Sequence, residues 1–192
     1  MINLDKSVAL EEYVDCGTIG AWDEVLNAAK TDSTIKKKGL EGIHKLARDH
    51  ARTPMQWTAD APHGGFSSTT GKTWMRANDS FATINVAQQE LDPESPLAFY
   101  RTLLQLRKAL PELVIHGLFE LVDRDNQQTF TFIKWGGEQA MVVALNFTTE
   151  PQPFTLPESM AGKVKLGVSS LGKGGVVLGN LRPFEAQIFL PL

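Results

Sequence analysis

Residues 129–147 read Thr-Phe-Thr-Phe-Ile-Lys-Trp-Gly-Gly-Glu-Gln-Ala-Met-Val-Val-Ala-Leu-Asn-Phe, which is a strong strand pattern in the second half of the chain. Two runs rich in β-branched and aromatic residues, Thr129–Trp135 and Met141–Phe147, flank the dipeptide Gly136-Gly137. Glycines between two such runs are typical of the tight turn of a β-hairpin. The stretch therefore predicts two adjacent antiparallel strands.

Five further short runs of this kind surround the hairpin. Strands spaced about 8–12 residues apart and separated by turn residues indicate an antiparallel β-sandwich. We therefore predict a sandwich over residues 113–192. The other candidate strands are Gly117–Val122, Gln152–Leu156, Lys163–Val168, Val176–Leu178 and Glu185–Leu190.

Residues 1–112 show helical rather than alternating patterns. An apolar face recurs in the segment that follows Asp92-Pro93, where the aspartate is a typical cap and the proline a typical first helical residue. Residues 47–81 show no sustained period. The predicted helices are Lys6–Val14, Ala21–Thr31, Asp32–Leu46 with Asp32 or Ser33 as its cap, and Asp92–Leu110.

Composition excludes several classes of protein. The chain has 192 residues with 19 basic and 22 acidic side chains and no basic stripe, which argues against a nucleic-acid partner. The sequence contains no run of 18 apolar residues, so no membrane span is predicted. Cys16 is the single cysteine, so no internal disulfide is expected. With no leader-like segment in view, we expect a cytoplasmic protein.

Neither a metal nor a cofactor is predicted from the sequence. The four histidines, at positions 44, 50, 63 and 116, do not have metal-ligand spacing. The glycine-rich run 172–175 lacks the spaced second glycine, lysine and hydroxyl residue of a phosphate-binding loop.

One decapeptide, Arg48–Trp57, concentrates polar and aromatic residues suited to ligand contact. An arginine fork can donate two parallel hydrogen bonds to a carboxylate or to vicinal sugar hydroxyls. Trp57 offers a face on which a sugar ring could stack. The alternative is structural, with Arg48 and Asp49 forming an ion pair and Trp57 lying in the core.

The decapeptide Arg-Asp-His-Ala-Arg-Thr-Pro-Met-Gln-Trp closely resembles a segment of the α-glucosidase branch of the α-amylase family. That branch includes maltases, oligo-1,6-glucosidases, dextran glucosidases and sucrose isomerases. Further segments resemble the same family in the same order: Gly64–Ser67, Trp74-Met75, Ile84–Val86, Asp92–Ser95 and residues 99–108.

The resemblance implies a (β/α)8 barrel followed by an antiparallel β-sandwich. Residues 1–112 then resemble the loop after the eighth barrel strand with the last barrel helix, and residues 113–192 resemble the sandwich. As a fragment, the chain would be of the α+β class. The family's nucleophilic Asp, acid/base Glu and third Asp would all precede residue 1. We therefore assign no catalytic residue here and expect the chain alone to be inactive.

One substrate-binding residue carries over by position. In the family, the arginine of the Ala-Arg-Thr segment binds the glucose at the non-reducing end, which implies a sugar-binding role for Arg52. Arg48, Asp49 and His50 are expected to shape the loop or contact substrate.

The expected activity is retaining, exo-acting hydrolysis of terminal α-linked glucose from short oligosaccharides of the maltose or isomaltose type. Two alternatives remain open. One is part of a sucrose isomerase or other transglucosylase, and the other is a non-catalytic carbohydrate-binding or interaction remnant.

Overall fold

The computed structural model describes residues 8–30, 32–68, 71–172 and 179–192. Short 3-10 turns occur at Leu10–Glu12, Arg48–Ala51, Asp79–Ala82 and Glu158–Met160. The helices are α1 (Cys16–Ala28), α2 (Ser33–Leu46), α3 (Val86–Leu91), α4 (Pro96–Ala109) and α5 (Pro111–Val114). The strands are β1 (Leu118–Leu121), β2 (Thr129–Gly136), β3 (Gln139–Asn146), β4 (Gln152–Pro153), β5 (Val164–Ser169), β6 (Asn180–Leu181) and β7 (Ala186–Pro191).

The chain divides into two compact units, Met1–Asp92 and Pro93–Leu192. This division falls earlier in the chain than the boundary predicted after residue 112, because α4 and α5 pack with the strands that follow them. The assignment of residues 1–112 to the end of a barrel and of 113–192 to a sandwich stays a prediction.

In the first unit, α1 packs against α2 over a small apolar cluster. Its buried members are Val8, Tyr13, Ile43 and Met75. Aspartates cap both helices: Asp15 accepts from the backbone N–H of Thr18, and Asp32 accepts from that of Thr34. These contacts satisfy N–H groups that a helix leaves unpaired at its start.

A glycine permits the close approach of these two helices. A Cβ on Gly39 would lie 2.5 Å from Cγ1 of Val25, closer than van der Waals contact allows. Any larger residue at this point of α2 would therefore push α1 away.

The second unit is built on a five-stranded antiparallel sheet of order β1-β2-β3-β7-β5. Along the central strand β3, Ala140, Val142 and Ala144 lie in one apolar cluster, whereas Met141 and Val143 lie in another. Successive side chains of a strand point to opposite faces. Because both faces of β3 are covered, its sequence is almost continuously apolar.

Different elements cover the two faces of this sheet. Leu181 of the small β4–β6 sheet is buried against one face. Leu113 of α5 is buried against the other, where Leu103 and Leu106 of α4 also pack. The opposite side of α4 leaves Tyr100 and Leu104 exposed.

Most predicted strands are confirmed to within a few residues. The structure adds the two-residue strand β6, which is too short to show alternation. The predicted strand Val176–Leu178 lies outside the described residues. The combination of helices and antiparallel strands agrees with the expected α+β class.

The helix predictions were less accurate. The helix at Asp32–Leu46 is confirmed, with Asp32 as its cap. The prediction over Lys6–Val14 was wrong for the described residues, which hold only the 3-10 turn Leu10–Glu12. The next helix begins at Cys16 rather than Ala21, because Asp15 caps it.

The cap of α4 was also misplaced. Ser95 rather than Asp92 accepts from the backbone N–H of Ala98, and Pro96 rather than Pro93 is the first helical residue. Within the described part of the chain, no helix is long and apolar enough to cross a membrane.

Candidate functional site

The predicted site residues lie together on one turn. Helix α2 ends at Leu46, and the 3-10 turn Arg48–Ala51 follows at once, with Arg52 as its C-terminal cap. In so short a turn, neighbouring side chains face different directions. Asp49 and His50 are buried, whereas Arg48 and Arg52 have side chains that are 62% and 47% exposed.

A carboxylate from another element joins the two arginines. Asp15 is only 3% exposed. Its Oδ2 accepts from Nε and Nη2 of Arg48, both at 3.1 Å, and its Oδ1 accepts from Nη1 of Arg52 at 2.5 Å. We call Asp15, Arg48 and Arg52 the arginine clamp.

Hydrogen bonds within the arginine clamp lower the pKa of Asp15. Burial by itself would raise the pKa of Asp15, because a low-dielectric surrounding disfavours the charged form. Hydrogen bonds from Arg52, Arg48 and the backbone N–H of Thr18 outweigh that effect and hold the pKa below its ordinary value.

Asp49 and His50 support the turn from inside. Oδ2 of Asp49 accepts from the backbone N–H of Asp15 at 3.2 Å, which ties the turn to the start of α1. His50 contacts the ring of Tyr13 edge-on, with ring centroids 6.1 Å apart. The burial of both side chains favours loop shaping over contact with a ligand.

Arg52 differs from Arg48 in how much of its guanidinium is engaged: Arg48 is bound through Nε and Nη2, and Arg52 through Nη1. Its Nη1 is bound to Asp15, and within the described residues its Nε and Nη2 have no hydrogen-bond partner. Its backbone carbonyl accepts from Nε1 of Trp74 at 2.7 Å, which fixes the main chain at this point. The site therefore presents a held guanidinium with free donors at a half-exposed position.

Two structural alternatives drawn from the sequence were wrong. Arg48 pairs with Asp15 rather than with its neighbour Asp49, because Asp49 points into the unit. Trp57 does not lie in the core, since it is 48% exposed.

Sequence reasoning missed Asp15. An available signal was the run Asp15-Cys16-Gly17-Thr18, in which an aspartate precedes a helical pattern by one residue, as a cap does. Because the helix was predicted to begin at Ala21, Asp15 did not stand at a cap position in that prediction. Across the described ranges, no three His, Cys, Asp or Glu side chains come together in a way that could hold a metal ion.

Comparison with known proteins gives consistent similarities. Residues 12–117 match the family described as alpha amylase, catalytic domain. The chain is 33% identical over 188 residues to oligo-1,6-glucosidase IMA3 of Saccharomyces cerevisiae, an alignment that covers 96% of the chain and 32% of IMA3. It is 35% identical over 187 residues to alpha-glucosidase MAL12 of the same yeast, covering 96% of the chain and 32% of MAL12.

The chain is also similar to a solved structure over almost its whole length. The trehalulose synthase MutB of Pseudomonas mesoacidophila MX-45 is similar with a TM-score of 0.82 and 28% identity, covering 99% of this chain and 33% of MutB. The chain thus spans about a third of the length of the relatives that it matches.

Proposed function

Because the chain belongs to the alpha-amylase family of glycoside hydrolases, we propose that it forms the sugar-binding C-terminal part of a retaining, exo-acting α-glucosidase. In this proposal the enzyme releases terminal α-linked glucose from short oligosaccharides of the maltose or isomaltose type. The end of a (β/α)8 barrel would occupy residues 1–112, and a β-sandwich would follow.

The observation that carries the proposal is the arginine clamp. A guanidinium held in one orientation can donate from its free N–H groups to adjacent hydroxyls of a glucose ring. The charges of the turn support an uncharged ligand, since two arginines are balanced by the carboxylates of Asp15 and Asp49. A phosphorylated sugar would instead favour an excess of positive charge.

Catalysis in this proposal needs groups that the chain does not supply. A retaining glycosidase places two carboxyl groups about 5–5.5 Å apart, one as nucleophile and one as acid/base. Asp15 and Asp49 do not fit these roles, because both side chains are buried and each is bound within the fold through at least one oxygen. The two catalytic carboxylates and the third aspartate would come from the preceding part of the barrel.

A fusion protein tests the proposal. The stretch of IMA3 to which this chain aligns is replaced by the chain, and hydrolysis of p-nitrophenyl α-glucoside is measured. We expect the fusion to release nitrophenol and the chain alone to release none. Hydrolysis by the chain alone would contradict the assignment of the catalytic carboxylates to another segment.

The role of Arg52 is tested in the same fusion. Arg52→Lys keeps the charge but loses the planar fork, so we expect kcat/KM to fall roughly 10- to 100-fold, which is the loss of one or two hydrogen bonds from a charged donor. Arg124→Lys, an exposed position in the second unit, is the matched control. Equal effects of the two substitutions would count against Arg52 as a sugar ligand.

The likeness to trehalulose synthase favours a second candidate, a sucrose isomerase or other transglucosylase. The two reactions differ in the acceptor, which is water in hydrolysis and a sugar in transfer. Product analysis of the fusion with sucrose separates them, since hydrolysis gives glucose and fructose whereas isomerisation gives a new disaccharide. A non-catalytic carbohydrate-binding remnant would give neither product.

A further inference from the structure

We propose that Asp15 is a positioning residue for Arg52 and sets the edge of the guanidinium that meets the sugar. This inference rests on the proposed function of Arg52. Asp15 itself is buried and touches no ligand in the proposal, so it acts only through the arginine.

The geometry of the bond defines the orientation of Arg52. A guanidinium is planar and carries five N–H donors in a fixed fork. With Nη1 bound to Oδ1 of Asp15 at 2.5 Å, the plane can no longer turn freely about the side chain. The N–H groups of Nε and Nη2 then face one direction.

Asp15 is itself held from three sides. Thr18 donates its backbone N–H to Oδ2, Arg48 donates from Nε and Nη2, and the backbone N–H of Asp15 is bound to Asp49. A carboxylate held in this way is a rigid anchor. Arg48 therefore stabilises the anchor, and Arg52 is the arginine that the anchor orients.

Capping of α1 is the competing explanation for a buried aspartate at this position. Asparagine caps a helix about as well as aspartate. Asp15→Asn therefore retains the cap but removes the charge that holds both arginines. Asp32 provides a matched control, because it caps α2 through the N–H of Thr34 at 2.8 Å and forms no described ion pair with arginine.

The first measurement is made on the full chain. Nitrogen-15 NMR of arginine side chains reports how fast each guanidinium rotates about its Cζ–Nη bonds. We expect rotation of the Arg52 group to be at least roughly tenfold faster in Asp15→Asn than in the wild type, and unchanged in Asp32→Asn. Unchanged rotation in Asp15→Asn would overturn the proposal.

The second measurement uses the IMA3 fusion and a double-mutant cycle. If Asp15 acts through Arg52, Asp15→Asn lowers kcat/KM, and adding it to Arg52→Lys has little further effect. A purely structural role predicts additive losses in the double variant, and this result would overturn the proposal. Full activity of Arg52→Lys alone would instead defeat the proposed function of Arg52.

Discussion

At the scale of single residues, two buried carboxylates organise the turns around them. Asp15 holds the arginine clamp in the first unit. Glu185 plays a comparable part in the second unit, where Arg182 donates to it from its backbone N–H at 2.8 Å and from Nη2 at 2.9 Å. Ser169 donates its hydroxyl to the same carboxylate at 2.6 Å.

Because of Glu185, we expect the free energy of unfolding to depend on pH in the acid range. Burial alone would raise its pKa, but the hydrogen bonds from Arg182 and Ser169 lower it from 4.5 to about 2. A lowered pKa in the folded state gives stability that is fully present above pH 4.5 and is lost as the pH falls toward 2. The shift corresponds to about 3 kcal/mol. Denaturant unfolding at a series of pH values, monitored through the NMR signals of β3, measures this change in the free energy of unfolding.

Glu185→Gln is the variant that isolates this effect. We expect it to lower the free energy of unfolding at neutral pH by about 3 kcal/mol and to remove most of the dependence between pH 4.5 and 2. Glu138→Gln, exposed in the β2–β3 turn, serves as control. A wild-type stability that stays constant over this range would contradict the account.

The sequence predicted the site at this scale only in part. Arg48, Asp49, His50 and Arg52 stand within five positions, so a local pattern was enough to group them. Asp15 lies far from them in sequence and meets them only because α1 packs against α2. A contact between distant elements leaves no trace in a local pattern.

At the scale of elements, the α1–α2 pair gives a prediction with a control on the same helix. Gly39→Ala places a Cβ against Val25, so we expect it to lower the free energy of unfolding by about 1–3 kcal/mol. A Cβ on Gly42 meets nothing within 4 Å. Gly42→Ala should raise stability by about 0.5–1 kcal/mol through helix propensity.

Thermal unfolding of the two glycine variants measures the difference. Opposite signs are expected because the residue change is identical and only the neighbourhood differs. Stabilisation by both substitutions would mean that the two helices do not approach closely at Gly39.

Helix α4 allows a similar comparison between its two sides. Leu106 packs on the cluster that includes Leu113 and Met141, so Leu106→Ala should cost roughly 1–2 kcal/mol. Leu104 is half exposed, and Leu104→Ala should change stability by less than about 0.5 kcal/mol. Urea unfolding of the two variants compares them directly, and equal losses would contradict the packing described.

Elements with a strong period were predictable from sequence, and weakly marked ones were not. The hairpin of β2 and β3 follows from alternation and the glycine turn at Gly136-Gly137. Strand β6 has two residues and, among the described residues, pairs with β4, so its existence depends on a tertiary contact. The predicted start of α4 was wrong because Pro93 and Pro96 both suit a first helical position. The structure selects Pro96, since the Ser95 side chain accepts from the backbone N–H of Ala98.

For the molecule as a whole, we propose that Arg52, oriented by Asp15, binds the terminal glucose of the substrate. The family match and the coverage of about a third of each relative leave the catalytic carboxylates to another segment in this proposal. In this proposal, the chain contributes substrate binding within a larger enzyme.

The sharpest test is a crystal structure of the IMA3 fusion with bound glucose. We expect a glucose hydroxyl about 2.7–3.2 Å from Nε or Nη2 of Arg52, with Nη1 still bound to Asp15. A glucose bound in the catalytic pocket without contact to Arg52, or an Arg52 released from Asp15 in that complex, would contradict it.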